Sequence, residues 1–180
     1  MTMLFVAVVA VLIGFCAALA FAPRDGFETG VTINAPPDLV WALLTDPVAH
    51  VAWNPIMHAV AGQFVQGARL RLTMRTPSGG KMTFRPHVLV ADPGRELRWL
   101  GRLAFPRLFD GQHYFRLIAE DGGTRLIHGE CFRGVLLWVM DVQQFRPAFD
   151  AVNAGLKAHA ELAHSEERAL PDSDRVTNTP

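Results

Sequence analysis

Hydrophobic spacing changes character three times along this chain. From Met3 to Ala22, MLFVAVVAVLIGFCAALAFA, twenty residues pass without a charge. At helical rise such a segment is about 30 Å long, enough to cross the hydrocarbon layer of a bilayer. A helix buried in a soluble core would show a polar stripe, and this one has none. Ala18–Ala20 offers a small-x-small pattern of the kind cut from signal peptides. No Lys or Arg precedes the run, however, and it exceeds the usual signal core, so an uncleaved single span over 1–23 is the expectation.

After the span, PRDGFETG (23–30) reads as a short linker and VTINAP (31–36) as a first strand. Pro36 and Pro37 open a helix, since proline is tolerated where a first-turn amide lacks a partner anyway. Leu39, Val40, Leu43 and Leu44 give it an apolar side, and Pro47 ends it. A second short helix runs from Val48 to about Trp53. From Gln63 the period falls to two, the mark of half-buried strands. Leu70, Leu72 and Met74 alternate with arginines; Met82, Phe84, Val88 and Val90 share a face, with Pro86 between them marking a bulge or an edge. Leu97, Trp99, Gly101 and Leu103 form the next face. DGQHYFRLI and TRLIHGECF flank the turn AEDGG as a hairpin.

Strands joined by such short turns run antiparallel, and about six or seven are available. From Gln143 to His164 the period returns to that of a helix, with Phe145, Phe149, Val152, Leu156 and Ala163 on one stripe and Pro147 in or near the first turn. The fold class is therefore α+β: a curved antiparallel sheet with one long terminal helix across it, over residues 24–164. The polar segment 165–180 reads as a disordered tail.

Bases and acids balance at 17 each, which argues against a nucleic-acid binder. Between Gln63 and Arg133 the chain nevertheless carries eleven Arg and one Lys against six acids. Arg69, Arg71, Arg75, Arg85, Arg98, Arg102, Arg116 and Arg125 alternate to the outer face. That face is a solvated sheet surface, or a surface for anionic headgroups or a protein partner. Arg24, the only base flanking the span, leans the domain toward the cytoplasm as a single-pass membrane protein; export is the alternative. Cys16 and Cys131 lie in different segments, so no internal disulfide is expected.

The inner face has polar exceptions. Phe115 and Leu117 bring His113 with them; Leu126 and Phe132 bring His128 and Glu130. Hairpin pairing that keeps both faces together sets His113 opposite either His128 or Glu130, with Cβ atoms about 5 Å apart. A carboxylate there costs several kcal/mol unless paired or hydrated. Three readings stand: a satisfied structural network, the polar end of a ligand cavity, or a metal site of two His and a carboxylate. The tight spacing of HExxH is missing, as are GxGxxG, GxSxG, P-loop and CxxC patterns, so no metal and no cofactor is expected. Cys131 alternates outward and is a poor nucleophile candidate.

The stretches VTINAPPDLVWALLTDPVAHVAWNP, GARLRLTM, MTFRPHVLVADPGRELRWLGRL, FDGQHYFRL, TRLIHGECFRG and FDAVNAGLKAHAE, spread over about residues 28–164, resemble the START-like (SRPBCC) superfamily, in particular its polyketide cyclase/dehydrase and lipid-transport type. The resemblance implies a helix-grip fold, in which a seven-stranded sheet curls round the last helix and encloses a hydrophobic cavity. It also implies a small apolar ligand such as a lipid, quinone or polyketide-like compound. Phe84, Trp99, Phe115, Phe149 and Val152 would line the cavity, and His113, His128 and Glu130 would orient a polar group. Trp53 either fastens the second short helix at the mouth of the grip or touches ligand there. Members of the superfamily include carriers, cyclases, hydrolases and chaperone-like proteins. A cyclase or dehydratase using Glu130 and His128 as acid and base, and an interaction module acting through the arginines, therefore remain as alternatives.

Overall fold

The computed structural model describes residues 1–76 and 79–169. None of the residues of helix α1 (Thr2–Ala20) is buried. It is the one helix among the described residues long and apolar enough to cross a membrane. Strand β1 (Arg24–Ile33) follows at once, then α2 (Pro37–Thr45) and α3 (Pro47–Trp53). The seam between those helices is set by Asp46, whose carboxylate caps α3 by accepting from the amides of Val48 and Ala49. Strands β2 (Met57–Ala61), β3 (Arg71–Arg75), β4 (Lys81–Phe84), β5 (His87–Asp92), β6 (Glu96–Arg102), β7 (Asp110–Glu120) and β8 (Gly123–Arg133) come next. Two 3₁₀ turns, Val135–Trp138 and Val142–Phe145, lead into α4 (Arg146–Ala169).

Three elements depart from the sequence reading. The segment expected as a linker, Arg24 to Gly30, is strand. It pairs in unbroken register with β8 from Arg24 opposite Arg133 to Ile33 opposite Thr124, and turns Phe27 and Ile33 inward. Its own polarity hid it; the long free edge of β8 supplies every main-chain partner it needs. Residues Met57–Ala61, given no strand by their pattern, form β2 beside β3. Finally, the strands divide into a sheet of order β1-β8-β7-β6-β5 and one of order β2-β3-β4, all antiparallel. Pro86 is the cause. It lacks an amide proton and separates β4 from β5.

The two sheets stay joined around that proline. Its carbonyl accepts from Leu70 N at 2.9 Å, Val88 N donates to Ala68 O at 2.9 Å, and Arg69 bridges to His87. Taken with β4 and β5 as one bent strand, the layer is the seven-stranded grip.

Helix α4 crosses this layer, with Phe149, Val152, Asn153, Leu156 and Ala160 buried beneath it. Pro147 sits in its first turn, where no amide is missed. The helix continues to Ala169, past the expected boundary at 164, and residues 170–180, on which the tail expectation falls, lie outside the described residues. The main core joins Ile33, Leu44, Trp53, Leu97, Trp99, Phe115, Leu126 and Leu156; a smaller cluster holds Phe27, Phe132, Val142 and Phe149.

Candidate functional site

The β7–β8 register places His113 opposite Glu130 and Phe115 opposite His128, one of the two pairings that keep the apolar faces together. With Trp99 opposite His113 on β6, and α4 above, five rings come into contact. Trp99 stacks on His113 at 4.5 Å, Phe115 on His128 at 4.2 Å, and Phe149 on His128 at 4.3 Å between centroids. These distances are van der Waals contact, so side chains occupy the space between sheet and helix here. Access remains at one edge, where His113 and Glu130 leave 17% and 20% of their side chains exposed. Gly111, inward on β7, makes room for the carboxyl; a methyl group there would run into Glu130 Oε1.

The polar atoms form one chain whose proton order follows from counting donors. Thr29 Oγ1 donates to the His128 carbonyl at 3.1 Å, leaving its lone pair to accept from Asn153 Nδ2 at 2.8 Å. That fixes the amide, so Asn153 Oδ1 accepts from His128 Nδ1–H at 2.8 Å. A neutral imidazole protonated on Nδ1 has a bare Nε2, which must accept from His113 Nε2–H at 2.9 Å. His113 Nδ1 is then bare as well, and the atom facing it at 3.4 Å is Glu130 Oε2, which donates only as a carboxylic acid.

Burial gives the same protonation states independently. It pushes the Glu130 carboxyl up to about 8 and His113 down to about 3. His128 is held well below its ordinary value, by burial first and by His113 second. Near neutral pH the group is therefore a neutral acid and two neutral imidazoles, with no buried net charge. Chemically it offers a protonated carboxyl at an accessible edge of an otherwise aromatic surface. Because the imidazoles spend their Nε2 atoms on each other, their lone pairs do not converge. Among the described residues no group of three or more His, Cys, Asp or Glu is placed to hold a metal ion.

Of the expected ligand-facing residues, Trp99, His113, Phe115, His128, Glu130 and Phe149 come together. Val152 is buried in the main core one residue before Asn153. Phe84 is half-buried on β4, opposite Leu72 in the other sheet. Trp53 lies several rings away, through His50 (4.5 Å), then Phe64 (5.3 Å from His50), then Trp99 (6.1 Å from Phe64). Its indole donates to Leu43 O at 2.9 Å, tying α3 to α2.

Sequence reasoning missed Asn153 and His50. Asn153 falls on the inner stripe of α4 between Val152 and Leu156, and a polar residue inside an apolar stripe was the available signal. His50 is buried against Leu44 O at 3.0 Å and Asn54 at 3.3 Å, and burial lowers it to about 4.

The outer face is laced together rather than uniformly basic. Glu28 pairs with Arg116 and accepts from Tyr114 Oη at 2.6 Å; Arg98 pairs with Glu96 at 2.6 Å and lies 4.6 Å over the Tyr114 ring. Two open clefts of about 470 and 380 Å³, beside Arg95 and beside His164, contain no residue of the polar chain.

A family model described as polyketide cyclase / dehydrase and lipid transport matches residues 25–161. Among solved structures, a Chromobacterium violaceum protein is 20% identical with a TM-score of 0.64, covering 76% of this chain and 96% of its own. Ginseng major latex-like protein 151 from Panax ginseng is 12% identical, TM-score 0.65, covering 76% and 97%. The di-domain ARO/CYC protein BexL from the BE-7585A biosynthetic pathway is 18% identical, TM-score 0.61; the match covers 77% of this chain and 50% of that one. At these identities the likenesses show the fold alone. No curated protein matches the chain.

Proposed function

Because the chain belongs to the polyketide cyclase/dehydrase and lipid-transport family, whose fold is consistent with hydrophobic-ligand binding, we propose that it binds a hydrophobic small molecule between the inner sheet face and α4, and that α1 tethers it to a membrane. The observation behind this reading is the neutral carboxyl of Glu130, set beside His113 at the one accessible edge of an aromatic surface. The ligand enters at that edge, its apolar body parting Phe149 from His113 and His128 and its polar group meeting Glu130. Lipids, quinones and polyketide-like compounds share the required chemistry, an extended apolar body with one uncharged polar end. Domain limits of 24–164 and a cytoplasmic placement belong to the same proposal.

Solvent extraction of the detergent-purified full chain, followed by mass spectrometry, tests the reading. A stoichiometric apolar compound, enriched over bulk lipid and displaceable by a polarity-sensitive dye, supports it. Bulk lipid in host proportion with no dye binding overturns it.

A second reading, acid catalysis, is favoured by one observation: Glu130 is partly exposed beside His113, and burial raises its carboxyl to about 8, so that it holds a proton near neutral pH. His128 does not share that role, as both its ring nitrogens are committed to His113 and Asn153 and it is fully buried. Glu130→Gln separates the two. A catalyst loses turnover and keeps binding, whereas a carrier changes affinity and turns nothing over in either form.

A further inference from the structure

The strand ends nearest α1 carry a collar of charge. The registers align Arg24 with Arg133, Arg133 with Asp110, and Asp110 with Arg102, so four neighbouring strands finish side by side where the chain leaves α1. Arg107 joins them: with Arg24 it is close enough to depress the Arg133 guanidinium, whose first cause of depression is burial. Four arginines thus gather around the single acid Asp110, a basic surplus at the end of the domain that the apolar helix enters.

Beyond the collar, two loops expose apolar side chains instead of polar ones. Leu103 and Phe105 are 48% and 39% exposed; Trp138 and Val139 are 59% and 86% exposed. The loops are held in place rather than loose. Gly134 N donates to Pro23 O, Val135 N to Arg107 O and Leu136 N to Leu108 O, all within 3.2 Å. Arg107 Nη1 reaches Leu19 O at 3.4 Å, and Phe105 meets Phe15 of α1 edge-on at 6.0 Å. Ala104 and Arg107 both sit at positive φ, 56° and 66°, a strained conformation for residues with a Cβ. The fold thus keeps two costly backbone positions on either side of Phe105, in the loop that meets α1.

We propose that the 103–109 loop and the 135–139 turn form a rim that seats the domain on the lipid surface entered by α1, with Leu103, Phe105, Trp138 and Val139 in the interfacial layer and the arginine collar at headgroup level. The bilayer is the occupant because the apolar surface is continuous with α1, through Phe105 on Phe15, and because aromatic and basic side chains in that order are what a membrane interface takes up. The proposal rests on the tethering part of the functional reading. It would also bring the ligand's edge close to lipid: Glu130 lies three residues before Arg133 on β8, about 10 Å from the collar.

The test uses the full chain reconstituted into phosphatidylcholine vesicles whose acyl chains are brominated near the headgroup, with tryptophan emission as readout. Trp53 and Trp99 are buried and Trp41 half-buried, which leaves Trp138 as the exposed indole. Bromine should quench a distinct fraction of the emission. That fraction should disappear in Trp138→Phe and fall several-fold in a Leu103→Glu, Val139→Glu double variant that still floats with the vesicles. Flotation with a Trp138 that aqueous iodide quenches and bromine does not would overturn the rim and leave the tether standing. Shielding from both quenchers would assign the surface to a second copy and overturn it as well. Failure to float would remove tether and rim together, while ligand extraction would remain an independent measure of the inner site.

Discussion

Glu130 is where a single ionisation shapes both stability and chemistry. Its carboxyl is raised from an ordinary 4.5 to about 8 by burial, so between those values the folded chain holds a proton that the unfolded chain has released. Stability therefore falls as pH rises through that window, by on the order of a few kcal/mol in total. His50 and His113, lowered to about 4 and about 3, and His128, lowered further, act in the opposite sense. Below 6.5 the unfolded chain takes up protons that the folded chain refuses, and stability falls as pH drops. The two effects cross, and the melting midpoint should peak between about pH 6 and 7. Glu130→Gln keeps a group of the same size that cannot ionise; it should flatten the alkaline side, steepen the rise between about pH 4.5 and 6.5 where the carboxyl opposes the histidines, and move the maximum to higher pH, as thermal melts across pH 4 to 9 would show. Gly111→Ala asks a different question of the same atom. The new methyl would meet the movable end of Glu130 first and the Phe132 ring behind it at 3.3 Å, so it should shift the carboxyl, weaken ligand or dye binding and lower stability modestly.

At the scale of elements, α4 is fastened to the sheet by one polar bridge within an apolar contact. Asn153 joins His128 on β8 to Thr29 on β1, and truncating it leaves a buried imidazole N–H and a hydroxyl lone pair unsatisfied. Asn153→Ala should cost about 1–3 kcal/mol in chemical denaturation and free the His128 tautomer. Asn153→Asp, which gives His128 an anionic neighbour, should raise that histidine's pKa, a change read from its ring resonances and not expected of a mere packing residue. Gly155 is the apolar counterpart: a Cβ there would strike the Trp53 carbonyl, so Gly155→Ala should push α4 away from α3. Much of this layer was legible before any coordinates. Alternation in DGQHYFRLI and TRLIHGECF was enough to bring His113, His128 and Glu130 together, because period two and a short turn leave few registers. Asn153 was illegible because helical stripes tolerate a polar residue without saying what it meets. The first part of β1, Arg24 to Gly30, was illegible because its pairing comes from β8, about a hundred residues away, and not from its own composition.

For the molecule as a whole, the question is whether α1 belongs to the folded unit. Its residues are unburied, whereas the chain is engaged as soon as the helix ends: Ala22 is buried, Pro23 O accepts from Gly134, and β1 is paired from its first residue, Arg24. Both hydrophobic clusters are built from residues of the domain. Removing the helix should therefore subtract apolar surface that only lipid can cover, while leaving every core contact in place. A chain beginning at Ala22 should stay monodisperse in sedimentation without detergent and unfold in one cooperative transition, with a midpoint within a few degrees of the full chain in mild detergent. The four exposed rim side chains would then be the largest apolar patch left, so vesicle binding by this shorter chain should be weak, reversible and lost in the Leu103→Glu, Val139→Glu pair. Aggregation that the same pair does not relieve, or a broad transition lacking a cooperative midpoint, would show that α1 helps to hold the fold as well as its place at the membrane.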